Sequence, residues 1–124
     1  MRLLLAFIFI GHGLAHLPGF FISWELIAFD DMPYRTTVLA NYLDIGDQGI
    51  RVIGGLWLIG ALAFVLSGLG AWLRRSWWSR AALITALFSA VLCILDWPDA
   101  RIGLYINVAL IVFLVANNSQ KWVE

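Results

Sequence analysis

From Val52 to Leu73 the chain runs for 22 residues without one charged side chain. A helix needs about 20 mostly apolar residues to cross the hydrocarbon layer of a bilayer, so this stretch predicts a membrane span over 50–73. Three more spans follow by the same rule. The first covers 3–22 and is interrupted only by His12, His16 and Pro18. The third and fourth, 77–97 and 100–117, each have a 15-residue apolar core, Ala81–Leu95 and Ile102–Ala116, lengthened by Trp77, Trp78, Asp96 and Trp97 and by Asn117 and Asn118. Pro98 separates them, its missing N–H marking a turn and a helix start. The expected fold is an all-α, integral membrane four-helix bundle forming one domain over 1–124.

Composition closes off the alternatives. The chain is 62% hydrophobic and 13% charged, against about 45–50% and about 25% in soluble domains. So short a chain buries the smallest share of its surface and cannot hide that much apolar area. Disorder requires low hydrophobicity and high net charge, whereas eight basic residues here balance eight acidic ones. The same balance gives no reason to expect nucleic acid. A single cysteine, Cys93, excludes an internal disulfide framework.

The charges set an orientation. Arg2, Arg74, Arg75, Arg80 and Lys121 share one end with Glu124 alone, while Glu25, Asp30, Asp31, Asp44, Asp47, Asp96 and Asp99 share the other with Arg35, Arg51 and Arg101. Short loops rich in Lys and Arg stay in the cytoplasm, so both termini are expected inside, in the cytoplasmic (inner) membrane. A reporter placed at Ser76 or after Glu124 is expected on the cytoplasmic side. Six of the seven tryptophans fall near the expected interfaces, and Trp57 alone lies deep in a span. A secretory leader is the competing interpretation of the N-terminus, from Arg2, the apolar Leu3–Ile10 and the small residues of Gly13-Leu14-Ala15. Apolar character resumes from Leu17 to Ile22, beyond a normal cleavage site, so the segment is expected to stay.

Small residues recur every fourth position, at Gly11, Ala15 and Gly19, at Ala63, Ser67 and Ala71, and at Ala82, Ala86 and Ala90. Such stripes let helix backbones approach closely where lipid offers no hydrophobic drive. Between the first two spans the outer segment 23–47 is too long for a plain connection. Tyr34, Val38, Tyr42 and Ile45 recur there at helical spacing, which predicts an amphipathic helix over Tyr34–Ile45.

Polar groups are costly inside a membrane and usually face a bundle interior. Here they gather at one depth. His12 and His16 lie one turn apart on span one, with Asp47 and Arg51 one turn apart at the start of span two and Asp44 a turn earlier. Ser89, Cys93 and Asp96 climb span three, and Asp99, Gly103 and Asn107 descend into span four. Every span thus lends polar side chains to the outer half, while the inner half is nearly all apolar. The pattern predicts a cup open to the outside, with His16, Asp47 and Asp96 as acid–base candidates and His12, Asp44, Arg51, Cys93, Asp99 and Asn107 as binding residues. Each also has an ordinary structural role, as a cap, an ion pair, a buried filler or an interhelical hydrogen bond. Their convergence is what points to a site. Both histidines are expected to face inward, His16 towards Asp47 or Asp96 and His12 towards Asn107 or Ser89.

No metal site is assigned. Gly13, Leu14 and Ala15 stand between the histidines, so the His-Glu-x-x-His base is absent, and no third histidine exists for haem. No cofactor is named by the residues. Three functions stay open: a binder of a lipophilic molecule or of a membrane partner subunit, an enzyme doing acid–base chemistry on a lipid-soluble substrate, and a transporter or channel subunit acting as a homo-oligomer.

Span two, Arg51-Val-Ile-Gly54-Gly55-Leu-Trp-Leu-Ile-Gly60, resembles the helix with a paired and a later glycine found in the DoxX-like group of small four-span bacterial membrane proteins. That resemblance implies a four-helix bundle, associated in some members with quinone-linked redox systems. Members often carry an acid three positions before the glycine pair, where this chain has Arg51. The resemblance implies no catalytic residue here.

Overall fold

The computed structural model describes residues 1–123, so Glu124, counted above among the cytoplasmic charges, lies outside the described residues. The elements in order are α1 (Arg2–Leu14), α2 (Leu17–Ser23), β1 (Thr37–Val38), β2 (Leu43–Asp44), α3 (Gly46–Trp72), α4 (Trp78–Leu95) and α5 (Arg101–Gln120). The chain is all-helical apart from the short β1–β2 hairpin. Four segments are long and apolar enough to cross a membrane: α1 with α2, then α3, α4 and α5.

The first expected span is broken near its C-terminal end. Pro18 has no N–H to give the helix. Ahead of it the chain tightens, with the His16 N–H bonding the Gly13 carbonyl at 3.0 Å rather than that of His12. The His12 carbonyl loses its helical partner, and α2 restarts at Leu17. This break positions the candidate site.

No helix forms over Tyr34–Ile45. Thr37 pairs with Asp44 and Val38 with Leu43 in an antiparallel hairpin. Leu39, Ala40 and Asn41 all have φ between 54° and 69°, a left-handed run that costs a non-glycine residue about 1–2 kcal/mol. Bonds outside the segment offset that cost: the Leu39 N–H meets the Leu95 carbonyl at 2.7 Å and the Ala40 N–H meets the Trp97 carbonyl at 3.0 Å. Both acceptors lie at the frayed end of α4, where carbonyls lack helical partners. Helical spacing was present in the sequence, but the partner that decides the backbone sits more than 50 residues away. Gly46 (φ 71°) then turns the chain directly into α3, which starts ahead of the expected residue 50.

α3 is the central helix, packing on α1, α2 and α4, while α5 packs on α4. Close approach to α1 uses Gly13, where a Cβ would stand 2.7 Å from the Ala61 carbonyl oxygen, and Gly68, where it would stand 2.8 Å from that of Ala6. Of the expected stripe on the first span, Gly11 looks into open space and Ala15 is exposed, whereas Gly19, on α2 beyond the break, packs against Trp57, where a Cβ would stand 2.6 Å from the indole. Ala82 and Ala86 of α4 are fully buried, as their stripe predicts. At the basic end the core is Leu5, Phe9, Phe64, Trp78, Leu110 and Leu114 with small residues between. A second apolar cluster around Trp57 and Leu92 lies towards the acidic end. The polar layer described next lies between the two.

Candidate functional site

Four side chains from three of the four apolar segments, with the His12 backbone carbonyl, close a ring of hydrogen bonds in the buried middle. The His16 Nδ1–H reaches the His12 carbonyl at 2.7 Å, the one freed by the helix break. A carbonyl only accepts, so Nδ1 carries the proton, and in the neutral ring Nε2 is the acceptor. Ser89 fills that need, its hydroxyl donating to His16 Nε2 at 2.6 Å. The Ser89 oxygen accepts from Asn107 Nδ2 at 2.7 Å, and Asn107 Oδ1 accepts from His12 Nε2 at 3.0 Å. Every donor therefore points the same way round, from His12 to Asn107 to Ser89 to His16 and back to His12. Asn107 and Ser89 are fully buried, and His16 and His12 keep 3% and 8% exposure. Bonds in such a chain polarise one another in a low-dielectric interior.

α3 supplies the walls of this layer. Phe64 meets both imidazoles at steep angles, with ring centroids 4.8 Å from His12 and 5.2 Å from His16, and Trp57 lies 5.1 Å from His16. Gly60 gives His16 its room, since a Cβ there would stand 3.2 Å from His16 Cδ2.

Above the ring a cavity of about 300 Å³ opens towards the acidic end. Its walls are largely apolar, with Ile22 from α2, Ile53 and Trp57 from α3, Val38 from the hairpin and Ile106 from α5. His12, His16 and Cys93 lie on its floor, and Arg35, Asp96 and Asp99 on its rim. One ring nitrogen is left over. Among the described residues every side-chain nitrogen or oxygen shut off from solvent has a hydrogen-bond partner. No hydrogen bond reaches His12 Nδ1, so this acceptor keeps access to solvent, and the cavity is the opening that His12 lines.

The rim is tied by an ion pair from Arg35, ahead of the hairpin, to Asp99 in the α4–α5 turn. Both side chains are about a third exposed, and exposed pairs contribute only about 0–1 kcal/mol. The pair fixes the position of the outer segment more than it stabilises the fold. Beside it, burial pushes the Asp96 carboxyl up from 3.8 to about 6, with Arg35 pulling the other way. A carboxyl raised on folding favours the folded state while protonated. The contribution of Asp96 to stability is thus expected to be greatest below about pH 4 and to fall as pH rises through about 6. Asp96→Asn should flatten the thermal midpoint between pH 4 and 7; an unchanged slope would place the titrating group elsewhere.

The expected site residues divide in two. His12, His16, Cys93, Asp96 and Asp99 line the cavity, and Asn107 stands directly behind His12. Asp44, Asp47 and Arg51 are exposed and lie outside it. Asp47 accepts from the Tyr34 hydroxyl at 2.5 Å, which raises that phenol to about 12. Asp44 caps the Gly46 N–H at 3.0 Å, which holds its carboxyl below the usual range. The Asp47–Arg51 pair is not formed; what Arg51 offers is its backbone carbonyl, to the Trp24 indole at 3.0 Å. His12 does find Asn107, whereas His16 takes Ser89 rather than Asp47 or Asp96. Arg35 and Val38 fall within the segment expected to be a helix, which hides their place on the cavity, and no pattern in the sequence marks Met32 and Pro33, which also line it. Three of the four imidazole nitrogens are committed to the ring, and no cluster of three His, Cys, Asp or Glu side chains able to hold a metal occurs among the described residues. No family model, no curated protein and no solved structure matches the chain, so chemistry can be inferred only from the cavity itself.

Proposed function

We propose that this chain is a multi-pass protein of the cytoplasmic membrane, with both termini inside, whose outer cavity binds a lipophilic small molecule. The unpartnered Nδ1 of His12 carries the proposal: an apolar-walled chamber with one fixed acceptor at its floor suits an apolar molecule that ends in a hydroxyl, phenol or N–H donor. Membrane placement is supported by the surface, since Ile59, Leu62, Leu66, Ile84, Val91 and Val112 are each more than half exposed. A soluble monomer rarely leaves apolar patches of that extent in water. Orientation is supported by the basic end described above.

Acid–base chemistry on the bound molecule is the second reading, favoured by Asp96. A carboxyl titrating near 6 sits in the same cavity as the free His12 acceptor, giving one proton donor and one acceptor near neutral pH.

Ala15 lines the cavity yet is exposed, so Ala15→Trp should fill the chamber without disturbing the core. Mass spectrometry of protein purified from native membrane should find one small apolar molecule near one per chain. The variant should lose it at least tenfold while keeping the thermal midpoint of native protein stripped of that molecule. Equal loads on both proteins would remove the cavity from the account.

A further inference from the structure

The opposite, basic end has a second cavity, of about 570 Å³. We propose that it binds the phosphate headgroup of an anionic glycerophospholipid. Arg2 at the start of α1, Arg74, Arg75 and Arg80 around the α3–α4 turn and Lys121 after α5 all line it. No acidic side chain does so among the described residues, and Glu124 is the only acid the sequence adds at that end.

The positive-inside rule accounts for cations at this end, but not for their closing around one hollow. Local structure does that. Asn117, 3% exposed, accepts the Val123 N–H at 2.7 Å and donates to the Val123 carbonyl at 3.3 Å, folding the chain after α5 back over the cavity. Lys121 makes that turn in the left-handed region, with φ 52°. Ser79, 7% exposed, donates to Asn118 Oδ1 at 2.6 Å and ties α4 to α5 across the floor.

An independent feature faces the same hollow. α4 is an 18-residue helix whose N-cap, Trp77, offers no side-chain cap. The backbone N–H groups of Ser79 and Arg80, in its first turn, have no partner among the described residues. Free first-turn N–H groups and the positive end of the helix dipole favour an anion with several oxygens. Phosphate meets both requirements, taking backbone N–H bonds and bidentate guanidinium contacts.

A lipid fits better than a free anion because exposed apolar side chains adjoin the basic lining along the chain. Leu3, Trp72, Leu73, Trp77 and Trp122, neighbours in sequence of the lining residues, are 46–63% exposed. Indoles and leucines at headgroup depth would flank the glycerol and acyl chains, which inorganic phosphate lacks. The inference rests on membrane placement and not on the outer cavity.

Native mass spectrometry of the full chain in non-ionic detergent tests it, with phosphatidylglycerol and phosphatidylcholine of identical acyl chains as probes. Phosphatidylglycerol should be retained at least tenfold better. Each cation is worth about fivefold at an anionic headgroup, so Arg75→Gln with Arg80→Gln should weaken that retention about 25-fold and weaken phosphatidylcholine less, because its choline cation already offsets the phosphate charge. If that pair fails to fold, Arg2→Gln with Lys121→Gln probes the other rim. Equal retention of the two lipids, or undiminished phosphatidylglycerol on a folded double variant, would overturn the proposal. Full displacement of the lipid by millimolar inorganic phosphate would overturn it in favour of a free-anion site. Carbonate extraction of native membranes scores the membrane placement separately, because a peripheral protein would be released.

Discussion

Gly13→Leu is expected to destabilise the fold by about 3 kcal/mol or more, whereas Gly11→Leu, two residues away, should be neutral or slightly stabilising. Helix propensity alone predicts the same gain at both positions, since glycine is about 0.8–1.0 kcal/mol less favourable than alanine in a helix. Packing reverses the sign at one of them. A Cβ on Gly13 would stand 2.7 Å from the Ala61 carbonyl oxygen and 3.0 Å from Phe64 Cβ, and neither atom can swing aside. α1 must therefore back away from α3, and overpacking of this kind costs about 1–3 kcal/mol, sometimes more. Because His12 and Phe64 flank the contact, the displacement should loosen the hydrogen-bonded ring as well. Gly11 has nothing within 4 Å and meets no such limit. Unfolding of the two variants in detergent, followed by circular dichroism, decides the matter. Equal behaviour would mean that α1 presents another face to α3.

This pair of glycines also shows where sequence reasoning stops. The stripe Gly11, Ala15, Gly19 has perfect four-residue spacing, yet spacing cannot say which of several small-residue faces meets the neighbour. That choice is made by large side chains elsewhere, here Phe9 and Phe64, both fully buried. Long apolar runs were legible because the requirement is local and additive over about 20 residues. The clustering of His12, Ser89 and Asn107 at one depth was legible for a related reason: helical rise converts sequence position directly into height. The hairpin was not legible. Its left-handed residues are held by the Leu95 and Trp97 carbonyls, and no pattern within Tyr34–Ile45 records those acceptors. A helix there gives Arg35 no role in the site and leaves Asp44, Asp47 and Arg51 as cup residues, whereas Arg35 lines the cavity and those three lie outside it.

Asn107→Leu is expected to cost about 2 kcal/mol and to reverse the hydrogen-bonding sense of the cavity floor. The amide makes two good bonds, to His12 and to Ser89, and a weaker contact with Cys93 Sγ at 3.5 Å. Interhelical bonds in membranes average about 0.6 kcal/mol each, while a buried donor left without a partner costs about 1–3 kcal/mol. Two lost bonds come to about 1.2 kcal/mol, and the groups left without partners raise the cost towards about 2 kcal/mol. Which atom is orphaned matters more than the total. In the native ring the proton of His12 stays on Nε2 because Asn107 Oδ1 takes it, and Nδ1 is left as the cavity's acceptor. Leucine removes that acceptor, and the imidazole escapes the penalty by moving its proton to Nδ1, where the cavity can receive it. His16 should not follow, since the His12 carbonyl still demands its Nδ1–H and Ser89 can still donate to its Nε2. Imidazole ¹⁵N shifts should therefore report Nε2–H for His12 in the native chain and Nδ1–H in the variant, with His16 unchanged in both. A ligand chosen for its donor group would then face a donor and be lost, even though the chamber keeps its volume. If His12 already carried its proton on Nδ1 in the native protein, the floor would favour acceptors, and the proposed ligand would have to be a ketone, ester or ether instead.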